Sequence, residues 1–278
     1  MVVKDRRTKI LLSLFLLATE TSGVDFDEKL QKIFDLSLNQ KTRGTLSGLM
    51  KEGLIEKSSE INIKATGDTA GRAPDSVQRS EPWREGKLGQ APSQLNRYKL
   101  TNKGFLTLCL SFPFFRFLKE KWDGRWRIIS YEIPESRREI RDRLRREMQG
   151  WGLGPWHRSF WLTPHPIIDN LRDLVSNREE EKYIQAFEAA HVFGGLEILI
   201  EKVWAKSLLD KKYRQLFKTW HDTLSQEGEK ISRFKKVLDS YLNLLKEDPG
   251  LPKELIGDKW IGFESFEIFK EIRSILLS

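Results

Sequence analysis

The chain has 278 residues, 39% hydrophobic and 32% charged, which is enough apolar material for two or three small cores and too much for a disordered chain. A single cysteine, Cys109, excludes a disulfide framework, and His157, His165, His191 and His221 are too scattered to show zinc-ligand spacing. The formal charge of +8 is uneven: residues 1–121 carry +7, residues 122–190 are neutral and residues 191–278 carry +1. A polyanion would dock on the amino-terminal segment, because counterion release needs local Lys and Arg, although a moderate basic excess also simply aids solubility.

Ile10–Ala18 is an apolar run behind Lys4, Arg6, Arg7 and Lys9 that mimics a signal peptide. No small-residue cleavage site follows it and it is too short to span a bilayer, so the expectation is a cytoplasmic protein with no membrane partner. The pattern predicts a helix over Asp5–Thr19, apolar nearly all round, ended by Gly23. Asp25 is placed to cap a second helix, on which Phe26, Leu30, Ile33 and Phe34 share one face. A third helix is expected from Ser37, with Gln40 completing a capping box, to Gly53, where Leu54 beyond it fits a Schellman end touching Leu49.

Leu38, Leu46, Leu49 and Met50 form the inner side of this third helix. Gln40, Arg43, Gly44, Ser47 and Lys51 recur along the other side as a polar stripe with no acidic residue. Gly44 and Gly48 each cost about 1 kcal/mol relative to Ala in a helix interior. That cost makes sense where a backbone or phosphate comes close; a plain solvated face fits the same pattern. Leu54–Lys57 and Ile61–Lys64 read as strand pieces, followed by some thirty residues rich in Gly, Pro, Ser and Arg without any period. Asn96–Thr101 resumes as a strand and Thr101 caps a further helix.

Three helices and then a hairpin is the plan of a winged helix, whose third helix enters the major groove. There Arg reads guanine and Gln reads adenine, so Gln40 and Arg43 are assigned to bases; Lys41, Ser47 and Lys51 are assigned to phosphates. Arg72, Arg79, Arg84 and Lys87 lie in the long wing, and Arg72 and Arg79 are assigned to DNA with the helix residues. Phe112–Leu118 is too apolar for a loose linker and is expected to pack the winged helix against the central domain.

Arg127–Ile133 reads as a buried strand closed by Pro134, and Glu135–Gln149 as a helix with Ile140, Leu144, Met148 and Trp151 on its stripe. A strand over about His157–Thr163, a helix over Asp169–Tyr183 and a strand over Ile184–Phe193 complete a ferredoxin-like layer. Arg137, Arg141 and Arg145 share one face of the first helix, as a phosphate contact or as a solvated face laced with ion pairs. Beyond lies helical pattern: one helix through Leu199, Val203, Trp204, Leu208 and Leu209, a second through Tyr213, Leu216, Phe217 and Trp220, and a third through Phe234, Val237, Leu238, Tyr241, Leu242 and Leu245. Asp248, Pro249, Gly250, Pro252 and Gly257 then form a turn that seats Trp260 on the last helix. The fold class is α+β, in segments 1–121, 122–195 and 196–278.

WDGRWRIISYEIPESRREIRDRLRREM and GLGPWHRSFWLTP resemble the central domain of the PaaX family of bacterial transcriptional repressors, a domain itself similar to the small CRISPR-associated nuclease of spacer acquisition. TRGTLSGLMKEGLIEK and YKLTNKG are similar to the family's recognition helix and following strand, with Thr42 and Arg43 at the start of that recognition segment. Asp248-Pro249, Leu251-Pro252-Lys253-Glu254-Leu255 and Trp260-Ile261-Gly262 resemble its carboxy-terminal signature, in the same order. The resemblance implies a repressor of double-stranded DNA, not an enzyme. It also implies a homodimer on a palindromic operator and an effector of the arylacetyl-CoA type, although no CoA pocket is legible in the residues. Thr42 joins the DNA contacts on this basis. The alternative is a metal-dependent nuclease using Glu132, which matches the metal-binding Asp of the CRISPR enzymes; no second carboxylate stands beside it in the pattern. No cofactor, metal or catalytic residue is assigned.

Overall fold

The structure is a computed structural model and describes residues 3–17, 27–58 and 97–278. Its mixture of helices and two small sheets makes an α+β fold. Three helices open it: α1 (Arg6–Leu17), α2 (Glu28–Phe34) and α3 (Gln40–Lys51). Asp5 starts α1 by accepting from the Thr8 amide at 2.8 Å, and Asp27 caps α2 by accepting from the Leu30 amide at 2.7 Å. Asp25, Phe26 and Gly23 lie outside the described residues.

The start of α3 corrects the sequence reading. Asn39, not Ser37, is the cap: its Oδ1 accepts from the Thr42 amide at 3.0 Å, while Ser37 offers only its carbonyl, to the Thr42 hydroxyl at 2.6 Å. Leu36 is buried and Leu38 half-buried in the core, and with both drawn inward the helix starts after them. The other end matches expectation. Gly53 takes φ +70°, the Leu54 amide donates to Leu49 O at 2.9 Å and the Gly53 amide to Met50 O at 3.0 Å, a Schellman pair.

Leu54 leads into β1 (Ile55–Lys57), antiparallel to β2 (Tyr98–Leu100) with Ile55 opposite Leu100, and Thr101 caps α4 (Asn102–Ser111). Ile61–Lys64 lies outside the described residues. Pro113–Leu118 is a 3-10 turn with Phe114 and Phe115 fully buried, and it corrects the expected packing against the central domain: these two rings lie in the core shared with the carboxy-terminal helices, not in the core of the sheet.

The middle of the chain is a four-stranded sheet of β3 (Arg125–Tyr131), β4 (Gly154–His157), β5 (Phe160–Thr163) and β6 (Ile184–Ala190), in the order β4-β5-β3-β6 with every neighbour antiparallel. β3 and β4 flank β5 and so run parallel, joined by α5 (Arg138–Gly150), the βαβ crossover of a ferredoxin-like layer. The strand expected over His157–Thr163 is a hairpin, and the helix expected over Asp169–Tyr183 ends early, as α6 (Ile168–Val175), where Asn177 adopts φ +61°; a 3-10 turn covers Glu179–Tyr183. Ile129, Tyr131 and Trp161 meet Leu144, Met148, Leu171 and Val175 in a core of their own.

Five helices close the chain: α7 (Leu196–Trp204), α8 (Lys206–Ser225), α9 (Lys230–Leu245), α10 (Lys253–Ile256) and α11 (Ile261–Leu277). Leu208 and Leu209 belong to α8, not to the helix of Leu199. Ala205 breaks the run at φ +49°, and Glu201 accepts from the Ser207 amide and hydroxyl at 2.9 and 3.0 Å beyond the break. An alanine in the left-handed region leaves no mark in a sequence.

The first and last segments share one hydrophobic core, running from Val3 through Phe112, Phe114 and Phe115 to Leu276. Phe115 packs edge-on to Phe15 of α1 at 4.7 Å and to Phe266 of α11 at 5.9 Å, and Phe114 reaches Tyr213, Tyr241 and Phe263. The Asp-Pro turn locks onto this junction. Asp248 is buried, accepting from the Tyr213 hydroxyl at 2.6 Å and the Gly250 amide at 2.8 Å, and burial pushes its carboxyl up to about 6. Gly250 sits at φ +68°, where an added Cβ would lie 2.1 Å from Pro113 O. Gly250→Ala is therefore expected to cost more than about 2 kcal/mol, read as a lower urea midpoint at unchanged slope.

Candidate nucleic-acid interface

α3 places its sequence-assigned residues on two different sides. Leu46 and Leu49 point inward with Thr42, whereas Gln40, Lys41, Arg43, Gly44, Ser47 and Lys51 are exposed. Five of the assigned side chains, Gln40, Lys41, Arg43, Ser47 and Lys51, are thus brought together on one helix surface of about 18 Å (12 residues). That surface bears no acid. Glu52, just past the helix end, is held by Arg7 of α1 at 2.7 and 2.5 Å, and hydrogen bonding to that guanidinium lowers its pKa.

Thr42 is a correction. It is 1% exposed and its hydroxyl donates to Ser37 O, so it shapes the turn into α3 and touches nothing outside the protein. Arg72 and Arg79, with Arg84 and Lys87, lie outside the described residues. The structure adds Lys57, exposed on β1, and Lys103, whose ammonium donates to Glu52 O at 3.0 Å beside the carboxyl end of α3. Neither has a sequence signature, because ribbon pairing and the return of α4 bring them near.

Gly44 and Gly48 have open space where a Cβ would stand. Neither is required by packing or by a positive φ, so both keep the helix surface low without serving the fold. Gly44→Ala is expected to stabilise the protein by about 1 kcal/mol in urea unfolding.

Elsewhere the charged residues are mostly paired. On α5 and the turn before it, Arg137 pairs with Glu179, Arg138 with Asp142, Arg141 with Glu135 and Arg143 with Glu180. Among the described residues, Arg145 reaches only the Arg158 carbonyl, at 3.4 Å. The face is largely one of ion pairs. Glu132 is exposed just past β3, and among the described residues no three of His, Cys, Asp or Glu converge as metal ligands. Cys109 is buried, which pushes its thiol up to about 12.

Three helices with an antiparallel ribbon, sharing one core with the carboxy-terminal helices, and a ferredoxin-like sheet with a core of its own define an α+β protein. The family model of the PaaX protein central Cas2-like domain matches residues 119–197, and that of the PaaX-like protein C-terminal domain matches residues 204–278. Together they cover more than half of the chain, which belongs to the PaaX family. None of the curated proteins matches. Among solved structures, the uncharacterized protein Rv0674 from Mycobacterium tuberculosis is similar over 99% of this chain and 100% of its own, at 15% identity and a TM-score of 0.48. No helix among the described residues is long and apolar enough to cross a membrane.

Proposed function

We propose that this protein is a DNA-binding transcriptional regulator of the PaaX type, a repressor that sits on a palindromic duplex as a two-fold dimer and is released by a small-molecule effector, with acyl-CoA thioesters as the candidate class. The observation that carries the reading is the acid-free face of α3, with Gln40 and Arg43 in its first turn and Lys51 in its last. In a helix-turn-helix docking mode the amino-terminal residues of the recognition helix meet base edges, and cations along its flank meet phosphates. Arg43→Ala is expected to weaken binding to a selected duplex by about 1–3 kcal/mol and to relax its sequence preference. Lys51→Ala should instead weaken all duplexes alike and lower the salt slope by about 1. Anisotropy titrations at two salt concentrations separate these, and unchanged specificity in Arg43→Ala refutes the assignment.

The dimer reading is supported by the sheet. Phe187 pairs opposite Ile128, and Phe160 opposite Ser130, which puts both on the face turned away from α5 and α6. Phe187 is 53% and Phe160 41% exposed, and β6 pairs with β3 alone among the described strands. An apolar patch beside an open strand edge suits an isologous contact. Phe187→Glu is expected to shift the sedimentation coefficient from dimer to monomer and to weaken duplex binding at least tenfold. A dimeric Phe187→Glu protein would rule this face out as the contact.

A further inference from the structure

The sheet face carrying Phe160 and Phe187 is too small to hold two chains by itself. A Phe side chain offers about 150–250 Å². At 41% and 53% exposure the two rings therefore supply on the order of 200 Å² between them. A stable interface takes roughly 800 Å² and 20–30 residues from each partner. Most of such a contact has to come from beyond the strands.

The apolar surface continues where β6 ends. Val192 is 91% and Phe193 95% exposed, the two most exposed large apolar side chains among the described residues. The chain leaves the sheet after Ala190 and bends at Gly194, which takes φ +105°, before α7 starts at Leu196. Val192 and Phe193 thus stand on an arm between strand and helix, and Ile198, in the first turn of α7, is itself 75% exposed. Single apolar residues on a surface are ordinary, but a contiguous group of them marks an interaction site.

The same chain carries a groove of matching character. α7 and α10 border a space of about 840 Å³, open to solvent and lined by Ile198, Ile200, Leu255 and Ile256, with Glu254 at its edge. Ile200 and Ile256 belong to the core shared by the two ends of the chain, so the groove is part of the body that carries α3. Phe193 lies outside this groove in its own chain, since almost none of it is covered.

An arm and a groove that do not meet within one chain can meet between two copies. Under a two-fold axis the arm of each copy enters the groove of the other, so the contact is made twice and closes, with no free arm left to add a further chain. The arm is also the direct continuation of β6, the strand that bears Phe187, and so extends the sheet contact without a break.

We infer that Val192 and Phe193 of each chain dock into the α7–α10 groove of a second copy, exchanging arms across the dimer. This rests on the dimer reading above and adds to it the residues that supply the missing area. The exchange joins the sheet of one copy to the helical body of the other. Because α3 is part of that body, the arms fix the separation of the two α3 helices, and with it the half-site spacing that a duplex must offer.

Full-length Phe193→Cys and Glu254→Cys chains, differently tagged and co-expressed, test the exchange with a short bismaleimide. The native Cys109 is buried and does not compete. Phe193 and Glu254 are both exposed, so the substitutions leave the core intact, and melting curves verify it. The expected product is a covalent dimer carrying both tags, formed at least tenfold faster than either variant links to itself. In sedimentation, Phe193→Asp should dissociate at concentrations at least tenfold above those of the wild type, with Phe193→Leu within about threefold. Inserting one base pair between the half-sites of an enriched duplex should cost the wild type at least tenfold in affinity. It should cost Phe193→Ser, held at concentrations where it is dimeric, less than threefold. A dimeric wild type whose mixed pair does not link, or links more slowly than Phe193→Cys links to itself, overturns the exchange and leaves the sheet contact standing. A link formed only within one chain of the double variant does the same. A wild type that sediments as a monomer brings down the dimer reading and the exchange together. Equal discrimination of spacing by Phe193→Ser overturns the spacing role alone.

Discussion

The packing of Phe114 and Phe115 is the contact on which the architecture depends. The two rings lie 5.7 Å apart in a 3-10 turn between the amino-terminal helices and the sheet, yet their neighbours come from α1, α8, α9 and α11. Burying a Phe side chain is worth about 1.5–3 kcal/mol. Here it also removes the separation between the first and last parts of the chain, because a core filled from both ends cannot be divided without exposing it. The three helices that carry the candidate interface are therefore not an appended module. They are one wall of a larger helical body, tied also by Arg273 of α11 donating to Leu16 O at 2.6 Å.

The sheet domain is attached differently. Its core is its own, and it meets the helical body through smaller contacts: Trp126 stacked on Trp204 at 5.9 Å, and Val203 and Trp204 against Gly154. His165 is buried at the same seam, facing Pro249 O at 3.3 Å, and burial together with the nearby Arg116 guanidinium lowers its pKa to about 3, so it stays neutral. A rigid helical body against a separately packed sheet is an arrangement in which a seam can be opened or closed at modest cost.

Much of the fold was legible because its signals are local. Leu30, Ile33 and Phe34 occupy one side of a short helix, Gly53 stands where the chain must turn left-handed, and Trp260 comes after a run of turn residues; each depends on neighbours within a few positions. The family signature at Asp248-Pro249 was visible as a pattern but not as a mechanism. Its meaning is the approach of Gly250 to Pro113, more than a hundred positions earlier, and the Tyr213–Asp248 hydrogen bond inside the shared core. Errors fell where distant packing overruled local preference. Asn39 displaced Ser37 as a cap with Leu36 and Leu38 drawn inward, and Ala205 broke a helix whose hydrophobic period ran on without interruption.

For the candidate interface, the sequence by itself determined the residue types and their helical spacing: an acid-free stripe of Gln40, Arg43, Ser47 and Lys51, and the excess of positive charge in its part of the chain. Periodicity says which residues share a side, because a helix has 3.6 residues per turn. Only the tertiary structure decided which side faces out, removed Thr42 from it and tied the corner before it to Lys235, two hundred residues later. The physical reason is that burial and charge pairing belong to neighbours in space, and a hydrophobic core shared between the two ends of a chain leaves no trace in either end alone.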